Sequence, residues 1–229
     1  AFVCRPGISS RTSKDQRARL YGYCQHLVDL RLIPENPVAR IRPIRQTKKA
    51  IVIASVQQVE VTAKIFAEEI PANETFVQGA MLPRFLLYAF SPLRPEEITR
   101  LAPDWSNFNF EAHTVQITET KTGRENVTVE IDPRLSAALE HCADSGLSPN
   151  YRSRKHWEAW LAKGGIPRRV RDILRHTYAS NCYAVDSNLH DLARRMNNSV
   201  EILRRHYLNT TVTRSEGRVY FDILSRYGG

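Results

Sequence analysis

The stretch DILRHTYAS at residues 172–180, with RRMNNSVEILRRHYL following at 194–208, decides how the rest of the chain is read. In the first part Ile173 and Leu174 lie on the apolar face of a helix that also carries Arg175 and His176. In the second, Tyr207 follows a further short helix, 32 residues after Arg175 (207 − 175). The pattern predicts helices over 168–184, 187–196, 199–206 and 214–226.

Working upstream, two more stretches carry chemistry-bearing residues. SPLRPEEITRL (91–101) puts Arg94 just before a helix that opens at Pro95, where proline suits the first turn. In HTVQITET (113–120) and ENVTVEID (125–132) the apolar residues alternate, as in strands. KTGR between them, with Gly123, makes a hairpin turn with Lys121 at its tip. Helices are predicted at 133–144 and 153–163 as well.

The first third of the chain is helical in pattern. Ser13 and Gln16 have capping-box spacing ahead of a helix over 13–31, with Leu20, Tyr23, Cys24, Leu27 and Val28 on one face. IPENPVARIRPIRQTKK (33–49) contains three prolines and reads as an extended basic linker, with a domain boundary near 42–50. A helix starting at Ser55 has Val59, Ala63, Phe66 and Ile70 as its stripe. Another covers 75–90, where Pro83 is expected to introduce a kink.

Composition narrows the partner. The 229 residues include 33 Lys and Arg against 24 Asp and Glu, a net charge of +9, which suits a polyanion. Stretches of about 18 apolar residues, the length of a membrane span, are missing, and AFVCRPGISS lacks the pattern of a signal peptide. The four cysteines are scattered, with no C-x-x-C spacing, which points to a reducing, cytoplasmic setting.

These stretches together resemble the motifs of the tyrosine recombinases of the phage-integrase type. Leu93, Arg94 and Glu97 match a Leu-Arg-x-x-Glu setting, and Lys121 matches a lysine in a β-hairpin turn. Arg175, His176, Thr177, Ala179 and Ser180 match the end of His-x-x-Arg-His-Thr and the small-residue helix after it. Met196, Asn197, Asn198 and Ser199 stand at a Leu-Gly-His-Ser-like turn, and Tyr207 is in register as nucleophile. The resemblance covers 51–227 in order. Upstream, residues 9–38 resemble the end of a helical core-binding domain, whose first half is expected to precede this sequence.

The resemblance implies a mainly α fold with a small antiparallel β-sheet. It divides the chain into residues 1–45, the end of the core-binding domain with the basic linker, and 46–229, the catalytic domain. It also implies cleavage and rejoining of double-stranded DNA through a 3′-phosphotyrosine, with neither metal nor cofactor. Self-assembly to a tetramer on DNA, a monomer in solution, no membrane, and a prokaryotic, phage or mobile-element origin follow from the same source.

The chemistry agrees with that assignment. A phosphoryl-transfer transition state needs cations and donors around its oxygens, which Arg94 and Arg175 supply as forks. Lys121 is placed to protonate the departing 5′ oxygen, and cationic neighbours make the Tyr207 hydroxyl a usable nucleophile. Glu97 and His176 are expected to support these groups. Two positions depart from the family pattern, since Asp172 and Asn198 stand where it has histidine. Asn198 keeps an uncharged donor. Asp172 either orients Arg175, accepts the tyrosine proton, or marks a slowed or inactive enzyme.

Each residue taken singly has an ordinary structural reading: a surface arginine, a turn lysine, a core tyrosine. Only the joint order favours a site. The basic runs supply candidate DNA contacts at Arg40, Arg42, Arg45, Lys48, Lys49, Arg152, Arg154, Lys155, Arg168 and Arg169, which would track phosphates without reading sequence. Trp157 and Trp160 read as packing residues. Three rivals remain: a degenerate recombinase that binds DNA without cutting it, a type IB topoisomerase-like nicking-closing enzyme, and a basic RNA-binding module.

Overall fold

The structure is a computed structural model that describes residues 9–42, 50–68, 78–119, 125–149, 154–167 and 172–228. It divides into two compact units, Ala1–Ala50 and Ile51–Gly229.

The first unit is built on helix α1 (Ser10–Asp29). Its N-cap is Ser9, whose hydroxyl accepts from Thr12 N at 3.1 Å. Ser13, expected at the start, lies inside the helix and is buried, because the preceding Ser9 already satisfies the first free amides. A short 3-10 helix over Pro37–Arg40 follows, so this part of the linker is coiled rather than extended. Asn36 caps it, accepting from Val38 N at 3.0 Å and donating to Tyr21 O at 3.0 Å. Arg17 Nη2 donates to Ile41 O at 2.7 Å. Of the predicted apolar face, Cys24 is buried, whereas Leu20 and Tyr23 are exposed.

The second unit is mainly helical with one small sheet. Helix α2 (Val56–Glu68) opens at Ser55, whose hydroxyl and backbone amide exchange hydrogen bonds with Gln58. Val59, Ala63 and Phe66 form its buried stripe. Helix α3 (Leu82–Phe90) is buried on nearly every side, which its apolar run LPRFLLYAF requires. Pro83 stands in its first turn, so it starts the helix instead of kinking it. Helix α4 (Pro95–Ile98) is a single turn.

Strands β1 (Phe108–Asn109), β2 (Thr114–Glu119) and β3 (Glu125–Glu130) pair antiparallel in chain order. Val115 faces Val129, and Ile117 faces Val127. Val115 and Ile117 are buried and Gln116 and Thr118 exposed, the alternation of a sheet covered on one side. The two-residue β1 lacks a period long enough to read from sequence.

Helices α5 (Pro133–Asp144), α6 (Arg154–Lys163), α7 (Ile173–Asp186), α8 (Leu189–Arg195), α9 (Val200–His206) and α10 (Arg214–Asp222) complete the unit. A 3-10 turn over Ile223–Arg226 ends it. Helix α7 packs between α3 and α10. Gly217 allows the second approach, since a Cβ there would stand 2.8 Å from Val185 and 2.9 Å from the Asn181 carbonyl. Tyr220, fully buried, donates to Ala89 O on α3 and its ring lies 4.7 Å from Phe90. Trp160 is buried and Trp157 packs against Phe66 and Tyr88, so both are packing residues. Among the described residues no helix is long and apolar enough to cross a membrane.

Candidate active site

Arg94 stands at the mouth of α4. Its backbone N–H donates to Glu97 Oε2 at 2.7 Å, and its Nη1 to Glu97 Oε1 at 3.1 Å. Glu97 is 6% exposed, so a buried carboxylate fixes the guanidinium from one side. From the other, Arg94 Nη2 reaches Asn197 O at 3.0 Å and Asn198 Oδ1 at 3.3 Å.

Arg175 lies in the first turn of α7 and is 3% exposed. Its Nη1 donates to Pro92 O and its Nη2 to Met196 O at 2.9 Å. Burial pushes its pKa down, and Tyr207 opposes that. A guanidinium has five N–H bonds. Among the described residues Arg94 uses three of its five and Arg175 two. Arg175 Nε, buried, has no hydrogen-bond partner among the described residues.

Tyr207 follows α9 directly, half-buried. The Arg175 guanidinium carbon lies 5.6 Å from the centre of its ring, and the His176 ring meets it nearly edge-on at 5.3 Å. Ser180 pins this segment to α7. Its hydroxyl donates to His176 O at 2.8 Å, lies 3.3 Å from Tyr207 O, and accepts from Asn209 N at 2.9 Å. Asn209 in turn donates to Ile51 O at 3.1 Å, and Thr177 Oγ1 accepts from Ala54 N at 2.9 Å. The chain entering the unit is thus stitched to the helix that carries Arg175.

Asp172 precedes α7 in the left-handed conformation (φ 60°), and its carbonyl accepts from His176 N at 2.9 Å. Its carboxylate makes no hydrogen bond to Arg175, which two backbone carbonyls orient instead. Burial lowers the pKa of His176, while the Asp172 carboxylate and the Val52 backbone pull it back up. Asn198 is engaged at both ends, since Nδ2 donates to Met196 O at 3.3 Å while Oδ1 accepts from Arg94.

Arg94, Glu97, Arg175, His176, Asn198 and Tyr207 therefore converge, with Asp172 beside His176. Lys121, Arg45, Lys48, Lys49, Arg152, Arg168 and Arg169 lie outside the described residues. Arg154 and Lys155 open α6. In the first unit, exposed Arg40 pairs with Glu35 at 2.5 Å, and Arg42 is exposed. The carbonyls of Pro92, Met196 and Asn197 escaped the sequence reading, because a backbone acceptor has no signature in side-chain pattern. The left-handed Asn197 (φ 49°) had one: asparagine tolerates that conformation.

No family model matches the sequence, and no curated protein matches it. Solved structures do match. The XerH site-specific recombinase, bound to palindromic difH substrate in a post-cleavage complex, superposes with a TM-score of 0.61 at 17% identity, covering 96% of this chain and 66% of that one. XerA recombinase gives 0.54 at 16% identity, with 96% and 85% covered. The chain has the fold of the tyrosine recombinases. An integrase from mycobacterium phage Brujita also matches, at a TM-score of 0.45 and 16% identity over 96% of this chain and 73% of that one. The recombinase fold agrees with the expected class, mainly α with a small antiparallel sheet.

Proposed function

We propose that this protein is a site-specific DNA recombinase that cuts and rejoins strands through a covalent bond to Tyr207. The observation that carries the reading is the placement of two anchored guanidiniums, one of them 5.6 Å from the Tyr207 ring. On this reading the free N–H groups of Arg94 and Arg175 bind the non-bridging oxygens of a DNA phosphate. Tyr207 Oη attacks phosphorus and the bond to the 5′ oxygen breaks. The phenol proton passes to water, and Lys121 supplies a proton to the departing oxygen. The product is a 3′-phosphotyrosine, whose reversal reseals the strand without an energy source.

Residues 1–45 are, on the same reading, the end of a core-binding domain and 46–229 the catalytic domain. Arg40, Arg42, Arg45, Lys48, Lys49 and the basic residues of 152–155 and 168–169 follow the DNA backbone. The partner is double-stranded DNA, the setting a prokaryotic, phage or mobile-element one, and recombination requires four protomers on two duplexes. The solved DNA-bound relative supports the choice of partner.

The test is a denaturing gel after incubation of the protein with a pool of nicked duplexes, with Tyr207→Phe as control. A protease-sensitive adduct absent from the control is expected. Tight, salt-dependent duplex binding without an adduct would favour a second reading, a DNA-binding protein that has lost cleavage. The turning of Asn198 Oδ1 onto Arg94 is the observation behind it.

A further inference from the structure

Beside Arg175 the second unit contains a cavity of about 150 Å³, whose walls include Tyr88, Leu93, Trp157, Leu161, Asp172 and Arg175. Its faces are mostly aromatic and aliphatic. Trp157 is held there by ring contacts with Phe66 and Tyr88, each with centroids 5.0 Å apart. The Tyr88 hydroxyl is already engaged, accepting from Arg84 Nη2 at 3.2 Å and donating to Pro95 O at 3.4 Å. One polar side chain of the lining, the Asp172 carboxylate, makes no hydrogen bond with described residues. It is an acceptor.

An open-mouthed space of about 150 Å³ accommodates a single benzene-sized ring. A flat ring that also offers an N–H donor on its edge is a pyrimidine base. A purine, with two fused rings, needs more room. The cavity adjoins the arginine that holds the DNA phosphate in the function proposed above, so the nearest bases belong to the nucleotides flanking that phosphate. Enzymes that take a base out of the stack read it by edge hydrogen bonds and by stacking between aromatic or apolar side chains, the two features found here.

We propose that this cavity receives one extruded pyrimidine base next to the cleaved phosphate, with Asp172 accepting an N–H from its edge. The assignment rests on the DNA-cleavage reading. It gives Asp172 a specificity-determining role.

The experiment uses the full chain and random-sequence duplexes carrying one 5-iododeoxycytidine opposite an abasic residue, which lowers the cost of extrusion. Duplex binding is measured first, at two salt concentrations. The sample is then irradiated and the crosslink mapped by mass spectrometry. The expected crosslink lies on the peptide of Trp157 or Tyr88. Competitor duplexes with a pyrimidine opposite the abasic residue should suppress it about ten-fold better than those with a purine. Leu161→Phe, which fills the cavity, should reduce the crosslink about ten-fold with duplex affinity unchanged. Asp172→Ala should weaken the pyrimidine preference about five-fold, a second measure that does not depend on the filled variant folding. Crosslinks confined to other peptides, equal competition by purines, or an indifferent Leu161→Phe in a protein that still binds duplex would overturn the pocket and leave the proposed function standing. Failure to bind duplex at all would overturn both.

Discussion

Arg94 and Arg175 donate to neighbouring carbonyls of one turn, Arg94 to Asn197 O at 3.0 Å and Arg175 to Met196 O at 2.9 Å. Their helices begin 78 residues apart in sequence (173 − 95), so the turn after α8 sets the spacing of the two guanidiniums.

That turn depends on Asn197, whose backbone is left-handed. Asn197→Val should cost roughly 1–2 kcal/mol from backbone strain, and Asn197→Gly far less. Because both arginines shift together, adduct formation by Asn197→Val should fall much further than its melting temperature explains. Equal adduct yields from the two variants would refute the role given to the turn.

Glu97 is the buried counter-charge of Arg94, their side chains being 8% and 14% exposed. Glu97→Ala should destabilise the protein by about 3 kcal/mol, through a stranded arginine and a lost helix start. Glu97→Gln keeps an acceptor for the backbone amide and should cost less. Urea denaturation separates the two.

Ser180→Ala removes the acceptor of the Asn209 amide and loosens the segment that follows Tyr207. A loss of about 1–3 kcal/mol is expected from the unsatisfied amide. The rate of adduct formation should drop while the affinity for duplex is retained, which a filter-binding titration beside the gel assay measures.

His176 gives the stability a definite pH slope. Burial holds its pKa below the ordinary 6.5, so the folded protein favours the neutral imidazole. The unfolded chain takes up the proton first, and stability present above about 6.5 is eroded as pH falls toward the lower folded value. Melting temperatures at pH 7.5 and 5.5 should differ more for the wild type than for His176→Gln.

The thiols of Cys142 and Cys182 are both pushed up to about 12 by burial. Neither should react with iodoacetamide in the native protein at neutral pH, and both should react after unfolding. Mass spectrometry of alkylated peptides reads this directly.

Much of the fold was legible because the patterns are strong and local. The alternation in VQIT and VTVE set the hairpin strands, and Asp132 before Pro133 set the start of α5. Boundaries erred where two signals competed. Ser9 and Ser13 both suit a cap, and only the first free amides decide between them. Pro83 fits a kink as well as a first turn, and the bend at 78–81 chose the latter. At the site, Arg94, Arg175 and Tyr207 were legible from their order. What holds them was not, because Pro92, Met196 and Asn197 act through carbonyls, and which carbonyl a guanidinium meets depends on tertiary placement. Nor does the order of motifs tell that Asp172 stands in a cavity wall with its carboxylate off Arg175.

Helix α10 comes after Tyr207 in the chain, yet it packs against α7, which carries Arg175, and its Tyr220 closes onto α3. A ribosome therefore releases Tyr207 before the element that braces the helix of Arg175. A nascent chain stopped at Leu208 would contain Arg94, Arg175 and Tyr207 and lack the brace. The gathering of Arg94, Arg175 and Tyr207 thus waits on residues made after all three, so the order of synthesis keeps the site unassembled until α10 has emerged.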